Sequence, residues 1–169
     1  AGHECFTPHL IPANGEHGLE DLSLKLESYI DENTGRDAIA LVGFSMGCMI
    51  CRHYLQRRGG LEHATHFFSI SGPNHGTLNA HIWLGKAARD MRFGSAFLRD
   101  LNADVTSLNR IELRTYRTPF DLLIIPSSSS KLPGAENRIV YAPLHHRMLC
   151  QESIFRDIAE TLNAANPES

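Results

Sequence analysis

Ala38-Ile39-Ala40-Leu41-Val42-Gly43-Phe44-Ser45-Met46-Gly47 is the stretch on which the reading of this chain turns. Ala38 to Val42 is an unbroken apolar run, the signature of a strand buried on both faces of a helix-covered parallel sheet. Gly43-Phe44-Ser45-Met46-Gly47 then fits G-x-S-x-G. A helix is predicted from about Cys48 to Arg58, with Ile50 and Tyr54 on its inner face and Gly59-Gly60 as its stop. The pentapeptide alone is a weak signal; a strand before it and a helix after it make it a candidate nucleophile elbow. Glycines at 43 and 47 are expected to let strand and helix pack without a Cβ clash. Ser45 would project from the carboxyl edge of the sheet at a helix N-terminus, where free N–H groups and the positive dipole end gather. The amide of Met46 is then a candidate oxyanion donor. A phosphate-binding loop would need Gly-Lys-Ser/Thr and a dinucleotide site G-x-G-x-x-G; neither is present.

Outward from the elbow, helix and strand alternate. Upstream, Glu4 to Leu10 is predicted as a short strand ending at Pro12 and the turn Asn14-Gly15. A helix follows from about Leu19 to Glu32, with Leu22, Leu26, Tyr29 and Ile30 on one face and Glu20 and Asp21 in its first turn. Downstream, His66 to Ile70 is predicted as a strand closed by Gly72-Pro73. Residues 77–110 mix apolar residues such as Leu78, Ile82, Trp83 and Leu84 with Lys86, Arg89, Arg92 and Arg99. That mixture predicts short helices broken at Gly94-Ser95. Strands are predicted at Ile111–Tyr116 and Arg138–Ala142, and a last helix at Gln151–Asn163 with Ile154, Ile158 and Leu162 inward. This order predicts an α/β fold: a mostly parallel sheet with helices on both faces.

Composition narrows the function classes. At 169 residues the chain is expected to be a single domain, 1–169, and its 42% apolar content is ordinary for a globular protein. Its 16 basic and 19 acidic residues give a net charge of -3, with Arg57-Arg58 the longest basic run, so no nucleic-acid footprint is evident. No apolar run of about 18 residues exists, so no transmembrane segment is expected. The chain opens without Met on Ala1-Gly2-His3-Glu4-Cys5, from which a missing natural N-terminus is expected, with localisation left open. Cys48 and Cys51 lie one helical turn apart with no second such pair, and read as buried thiols rather than a zinc or redox site.

A serine nucleophile needs a base, and the base an orienting acid. Ten histidines are present, so position must decide. His53, His63 and His66 fall in or near the helix and strand after the elbow, His75 in the next loop, and His81 in the 77–110 segment. Only His145 and His146 follow the last predicted strand, on the edge that carries Ser45. Among the acids, Asp100, Asp104 and Asp157 fall on predicted helices and read as solvated. Asp121 follows the strand 111–116, although Leu122-Leu123-Ile124-Ile125 could itself be strand and reverse its position.

Taken together, Leu41 to Gly47, Tyr54-Leu55-Gln56-Arg57 and Ser71-Gly72-Pro73-Asn74-His75-Gly76-Thr77 resemble the bacterial α/β-hydrolase lipases and esterases. So do Asp121-Leu122-Leu123-Ile124-Ile125-Pro126, Leu132-Pro133-Gly134-Ala135-Glu136-Asn137 and His145-His146-Arg147-Met148-Leu149. The resemblance covers nearly the whole chain. It implies an α/β-hydrolase fold with a short helical cap-like insertion at about 77–110. It implies Ser45 as nucleophile, Asp121 as orienting acid and His145 as base. His146 is the alternative base; His145 is preferred because Met148-Leu149 then falls at the family's +3 and +4 positions. The chain departs from the family at Phe44, where His is usual, and at Cys48, where a second Gly is usual. The family's upstream His-Gly loop, source of a second oxyanion donor, has no counterpart in Gly2-His3. Loss of one such donor typically costs ~10²–10³ in rate.

The expected activity is hydrolysis of a small-molecule or lipid carboxylic ester through an acyl-enzyme on Ser45. That chemistry requires no metal and no cofactor. A thioesterase or amidase on the same scaffold, or a non-catalytic binding module, are the rival readings.

Overall fold

The computed structural model of the chain describes residues 2–10, 17–35 and 38–165. Helix α1 (Leu19–Thr34) leads to strand β1 (Ile39–Phe44), helix α2 (Met46–Arg57) and strand β2 (Ala64–Ile70). Two short helices, α3 (Lys86–Asp90) and α4 (Ala96–Ala103), precede β3 (Glu112–Arg117). Strand β4 (Glu136–Ile139) and helix α5 (Glu152–Ala165) complete the order. The four strands form one sheet in the order β1-β2-β3-β4, and every pair is parallel.

The sheet is covered on both faces. One core gathers Leu22, Leu26 and Ile30 of α1 and the inward face of α2 on Phe67 and Leu113. The other packs Ile154 and Ile158 of α5 on Phe68, Ile70 and Tyr116. Neighbours Phe67 and Phe68 thus serve opposite cores, as the two-residue period of a strand requires. α2 is enclosed, and every residue from Cys48 to Leu55 is buried. Burial pushes the Cys48 thiol up to about 12 and the Cys51 thiol higher still, so both stay protonated and inert. No helix among the described residues is long and apolar enough to cross a membrane.

Three expectations need correction. β1 is not buried on both faces: Ala40 and Val42 are exposed, and among the described residues β1 pairs only with β2. The helices α1 and α2 cover one of its faces, while on the other face Phe44 at its end packs against the core beneath α5; β2 is the strand buried at every residue but Thr65. Gly2 to Leu10 forms no strand. Pro8 lacks the N–H a ladder needs, and the segment is held instead by Leu10 against the core and by His3 Nε2 on Asn163 Oδ1 at 2.9 Å. The Pro12 and Asn14-Gly15 turn lies outside the described residues. Asp157 is not solvated. Its Oδ1 accepts from Arg114 at 2.8 Å and its Oδ2 from the Tyr116 hydroxyl at 2.6 Å.

Residues 77–110 are short helices broken at Gly94-Ser95. Ser95 caps α4 by accepting from the Leu98 amide at 3.1 Å. Phe97, Leu98 and Leu101 enter the core beside α2, so this half packs onto the domain. Ile82 and Leu84, in the other half, are 76% and 94% exposed.

Candidate active site

β1 ends at Phe44 and α2 begins at Met46, leaving Ser45 alone to make the turn. Its φ of 52° is a left-handed conformation that a non-glycine residue rarely adopts. The surroundings enforce it: the Ser45 amide donates to Ile70 O at 2.9 Å, and its carbonyl accepts from Cys48 N at 3.0 Å. A Cβ on Gly43 would sit 2.8 Å from Cys48 Cα, so α2 folds back onto the strand only over a glycine. Gly47 differs from expectation, since a Cβ there would meet nothing within 4 Å. The second close approach belongs to Gly72, whose Cβ would lie 2.6 Å from Cys48 Cβ. The next strand repeats the device one step along the sheet: Ser71, with φ 48°, donates its amide to Tyr116 O at 2.8 Å. Met46 is the first residue of α2. Amides of a first helical turn have no intrahelical acceptor.

Asp121 and His145 arrive from the loops after β3 and β4. His145 Nδ1 lies 2.8 Å from Asp121 Oδ2, and both residues are buried. The other oxygen, Oδ1, accepts from the amides of Leu123 and Ile124, each at 2.9 Å. Leu122 to Ile125 is therefore a loop wrapped on the carboxylate and not a strand, which removes the ambiguity over Asp121's position. Burial pushes the Asp121 pKa up, but the His145 hydrogen bond and the two amides outweigh it and hold the carboxyl below its usual range. The His145 ring packs on Phe44 with centroids 4.7 Å apart, which sets it beside the elbow. His145 Nε2 is buried and has no hydrogen-bond partner among the described residues, Ser45 included. His146 is exposed.

Two other candidate histidines are placed elsewhere. His53 meets Ser23 at 2.5 Å and stacks on Phe97, and His66 meets Thr65 at 2.8 Å and stacks on Phe68. Asp100 and Asp104 pair with Arg57 at 2.7 and 3.1 Å.

A cavity of about 470 Å³ opens at Ser45. Thr77 lines it, a residue the sequence reading quoted but gave no role. Its hydroxyl donates to Leu123 O at 2.8 Å and accepts from Ile125 N at 3.0 Å, while its amide donates to Met91 O at 3.1 Å. Thr77 thereby ties the loop after β2 to the Asp121 loop and to the end of α3. The signal in sequence was the Gly76-Thr77 pair: Gly76, at φ 103°, would put a Cβ 2.9 Å from Phe93 N.

No protein-family model matches the chain, and no curated protein matches it in sequence. Solved structures do match it in fold. The mature lipase BlEst2 of Bacillus licheniformis is similar at a TM-score of 0.64 and 12% identity, over 87% of this chain and 75% of that one. Aspergillus fumigatus lipase B aligns at 0.59 and 17%, over 84% and 37%. Haloalkane dehalogenase DatA of Agrobacterium tumefaciens aligns at 0.62 and 9%, over 87% and 73%. At these identities the likeness is one of architecture: the chain has the α/β-hydrolase fold.

Proposed function

We propose that this chain is a serine hydrolase that cleaves carboxylic esters, with Ser45 as nucleophile, His145 as base and Asp121 as its orienting acid. The observation that carries the reading is the buried Asp121–His145 pair at 2.8 Å, set against Phe44 at the sheet end where Ser45 makes its strained turn. Two solved structures of like fold are named as lipases, which favours an ester over other substrates.

Asp121, held ionised by two backbone amides, accepts from His145 Nδ1–H and so leaves the lone pair of Nε2 for a proton. Ser45 Oγ attacks the ester carbonyl carbon while its proton passes to Nε2. The carbonyl oxygen becomes an oxyanion that the Met46 amide stabilises. As the tetrahedral intermediate collapses, the C–O bond to the alcohol breaks and His145 returns its proton to the leaving oxygen. Water then attacks the acyl-enzyme, gives its proton to His145 and releases the acid, and Ser45 recovers its hydrogen. Ser45 and His145, not bonded to each other in the structure, come within hydrogen-bond reach when substrate fills the site, as catalytic groups commonly do.

Fluorophosphonate labelling and turnover of p-nitrophenyl butyrate test the reading. The wild-type chain is expected to label and turn over, and Ser45→Ala to do neither. Full turnover by Ser45→Ala would overturn it, and a rate preference for a matched thioester or amide would move the substrate class within the same mechanism.

A further inference from the structure

The cavity at Ser45 is apolar to an extent that a general ester site does not require. Among its lining residues only Ser45, Thr77 and the indole of Trp83 carry a side-chain nitrogen or oxygen, and no charged group takes part. The Thr77 hydroxyl is already committed to Leu123 and Ile125. What remains is hydrocarbon, and a ligand group seated there gains by burying hydrocarbon of its own.

The wall supplied by α3 is small and fixed. Ala87 and Ala88 are 1% and 5% exposed. α3 is anchored at its end, because Asp90 Oδ2 accepts from the Leu19 amide at the start of α1 at 3.0 Å. Just beyond it, Arg92 Nε donates to Ala80 O at 2.9 Å. The rim is different in kind, since Ile82 and Leu84 stand largely in solvent. The site is thus a slot with a rigid back of two alanines and an apolar mouth.

Which half of an ester enters the slot follows from the proton transfer. The leaving oxygen must lie within reach of His145 Nε2, and His145 is not among the lining residues. The alcohol therefore departs on the His145 side, and the group that stays bonded to Ser45 points toward α3. We infer that this cavity is the subsite for the aliphatic chain of the acyl group, and that Ala87 and Ala88, which close its back, set how long a chain it accepts. The inference rests on the hydrolase reading of Ser45, and it adds the substrate's acid half to that reading.

The test uses two readouts on the full chain. In the first, kcat/KM is measured for p-nitrophenyl acetate, octanoate and palmitate, and for octyl acetate. Octanoate is expected to exceed acetate, and Ala88→Phe to lower the octanoate-to-acetate ratio about tenfold. Ala88→Val serves as the milder variant, with a smaller shift in the same direction. A ratio taken within one variant is independent of how much of it folds. If both variants leave that ratio within about twofold of the wild type, or if octyl acetate alone shifts, the assignment is overturned.

The second readout is independent of turnover. Trp83 is the chain's only tryptophan and lines the slot. Decanoic acid titrated into Ser45→Ala is expected to give a saturable blue shift of its emission, weakened by Ala88→Val. No saturable change would also overturn the subsite. A saturable response in a chain without Ser45-dependent hydrolysis would sink the hydrolase reading and leave the alkyl-binding slot standing.

Discussion

Gly43 and Gly47 occupy equivalent-looking places in the elbow motif, yet their surroundings differ. A methyl group on Gly43 would press on the Cys48 backbone at 2.8–2.9 Å, and backbone in a buried helix has nowhere to go. Gly43→Ala is expected to cost about 1–3 kcal/mol. Gly47 lies in the first turn of α2 with open space around it. There an alanine relieves the glycine penalty in a helix, so Gly47→Ala is expected to gain up to about 1 kcal/mol. Thermal unfolding of the two variants against wild type measures both; equal losses would contradict the distinction. The motif as a string could not separate these glycines, because the clash depends on where α2 lies over β1. Ser45 was legible as the turn between an apolar strand and a helix, whereas Asp121 was left open between loop and strand by its residues alone and was singled out through the resemblance. The choice between His145 and His146 was not legible from the residues alone: adjacent side chains of a loop point apart, and only the fold says which one meets Asp121.

Among the elements, α5 shows what apolar periodicity leaves out. Ile154, Ile158 and Leu162 were readable as its inward face, and they do pack on the sheet. Asp157 lies three residues after Ile154 and shares that face, where it gathers Arg114 of β3, Arg138 of β4 and the Tyr116 hydroxyl. Burial and that hydrogen bond push the Tyr116 phenol above its ordinary range. Asp157→Ala strands a guanidinium and a phenol at a buried junction and is expected to cost about 3 kcal/mol. Asp157→Asn, which keeps an acceptor for Tyr116, should cost less. Urea unfolding midpoints check the order, and a neutral Asp157→Ala would show that the cluster is merely a solvated ion pair. A composition rule places acids outside because it cannot see three partners converging from strands far apart in sequence. The same limit applied to β1, whose apolar run read as doubly buried. Residue types report that a strand could be covered on both sides; what covers it is a matter of neighbouring elements.

At the scale of the whole molecule, the alternation of strand and helix was sufficient to reach a parallel sheet covered on both faces, because parallel strands need crossovers and crossovers are mostly helices. Less visible was how the two cores and the loops enclose histidines that the chemistry does not use. His53 lies buried between α1 and α4 and His66 on the α5 face of β2, while His75 stands exposed in the loop after β2. Loss of solvent around the ring is the first cause in each case, partial at the exposed His75, and all three are held below the ordinary 6.5. Around His53, Glu20 and Asp100 oppose the effect while Arg57 and Arg58 reinforce it. Glu112 opposes and Arg114 reinforces it at His66. Arg52 reinforces it at His75, and the hydrogen bond with the Lys131 backbone opposes it. The sign follows directly. In the window between each folded pKa and 6.5 the unfolded chain binds more protons, so stability falls as pH drops below about 6.5, by at most about 1.4 kcal/mol per pH unit for each of the buried His53 and His66, and by less for the exposed His75, whose interactions solvent screens. Asp121 adds a second loss at lower pH. Its carboxyl is held below 3.8 in the fold, so its contribution is intact above that value and disappears as the folded pKa is crossed. The melting temperature should therefore be level above about pH 7, decline from about pH 6.5 downward, and steepen below about pH 4. His53→Leu removes one of the three groups and should flatten the first decline while leaving the second. A melting temperature constant between about pH 5 and pH 7.5 would refute the role given to these histidines, and a variant with the same slope as wild type would remove His53 from it.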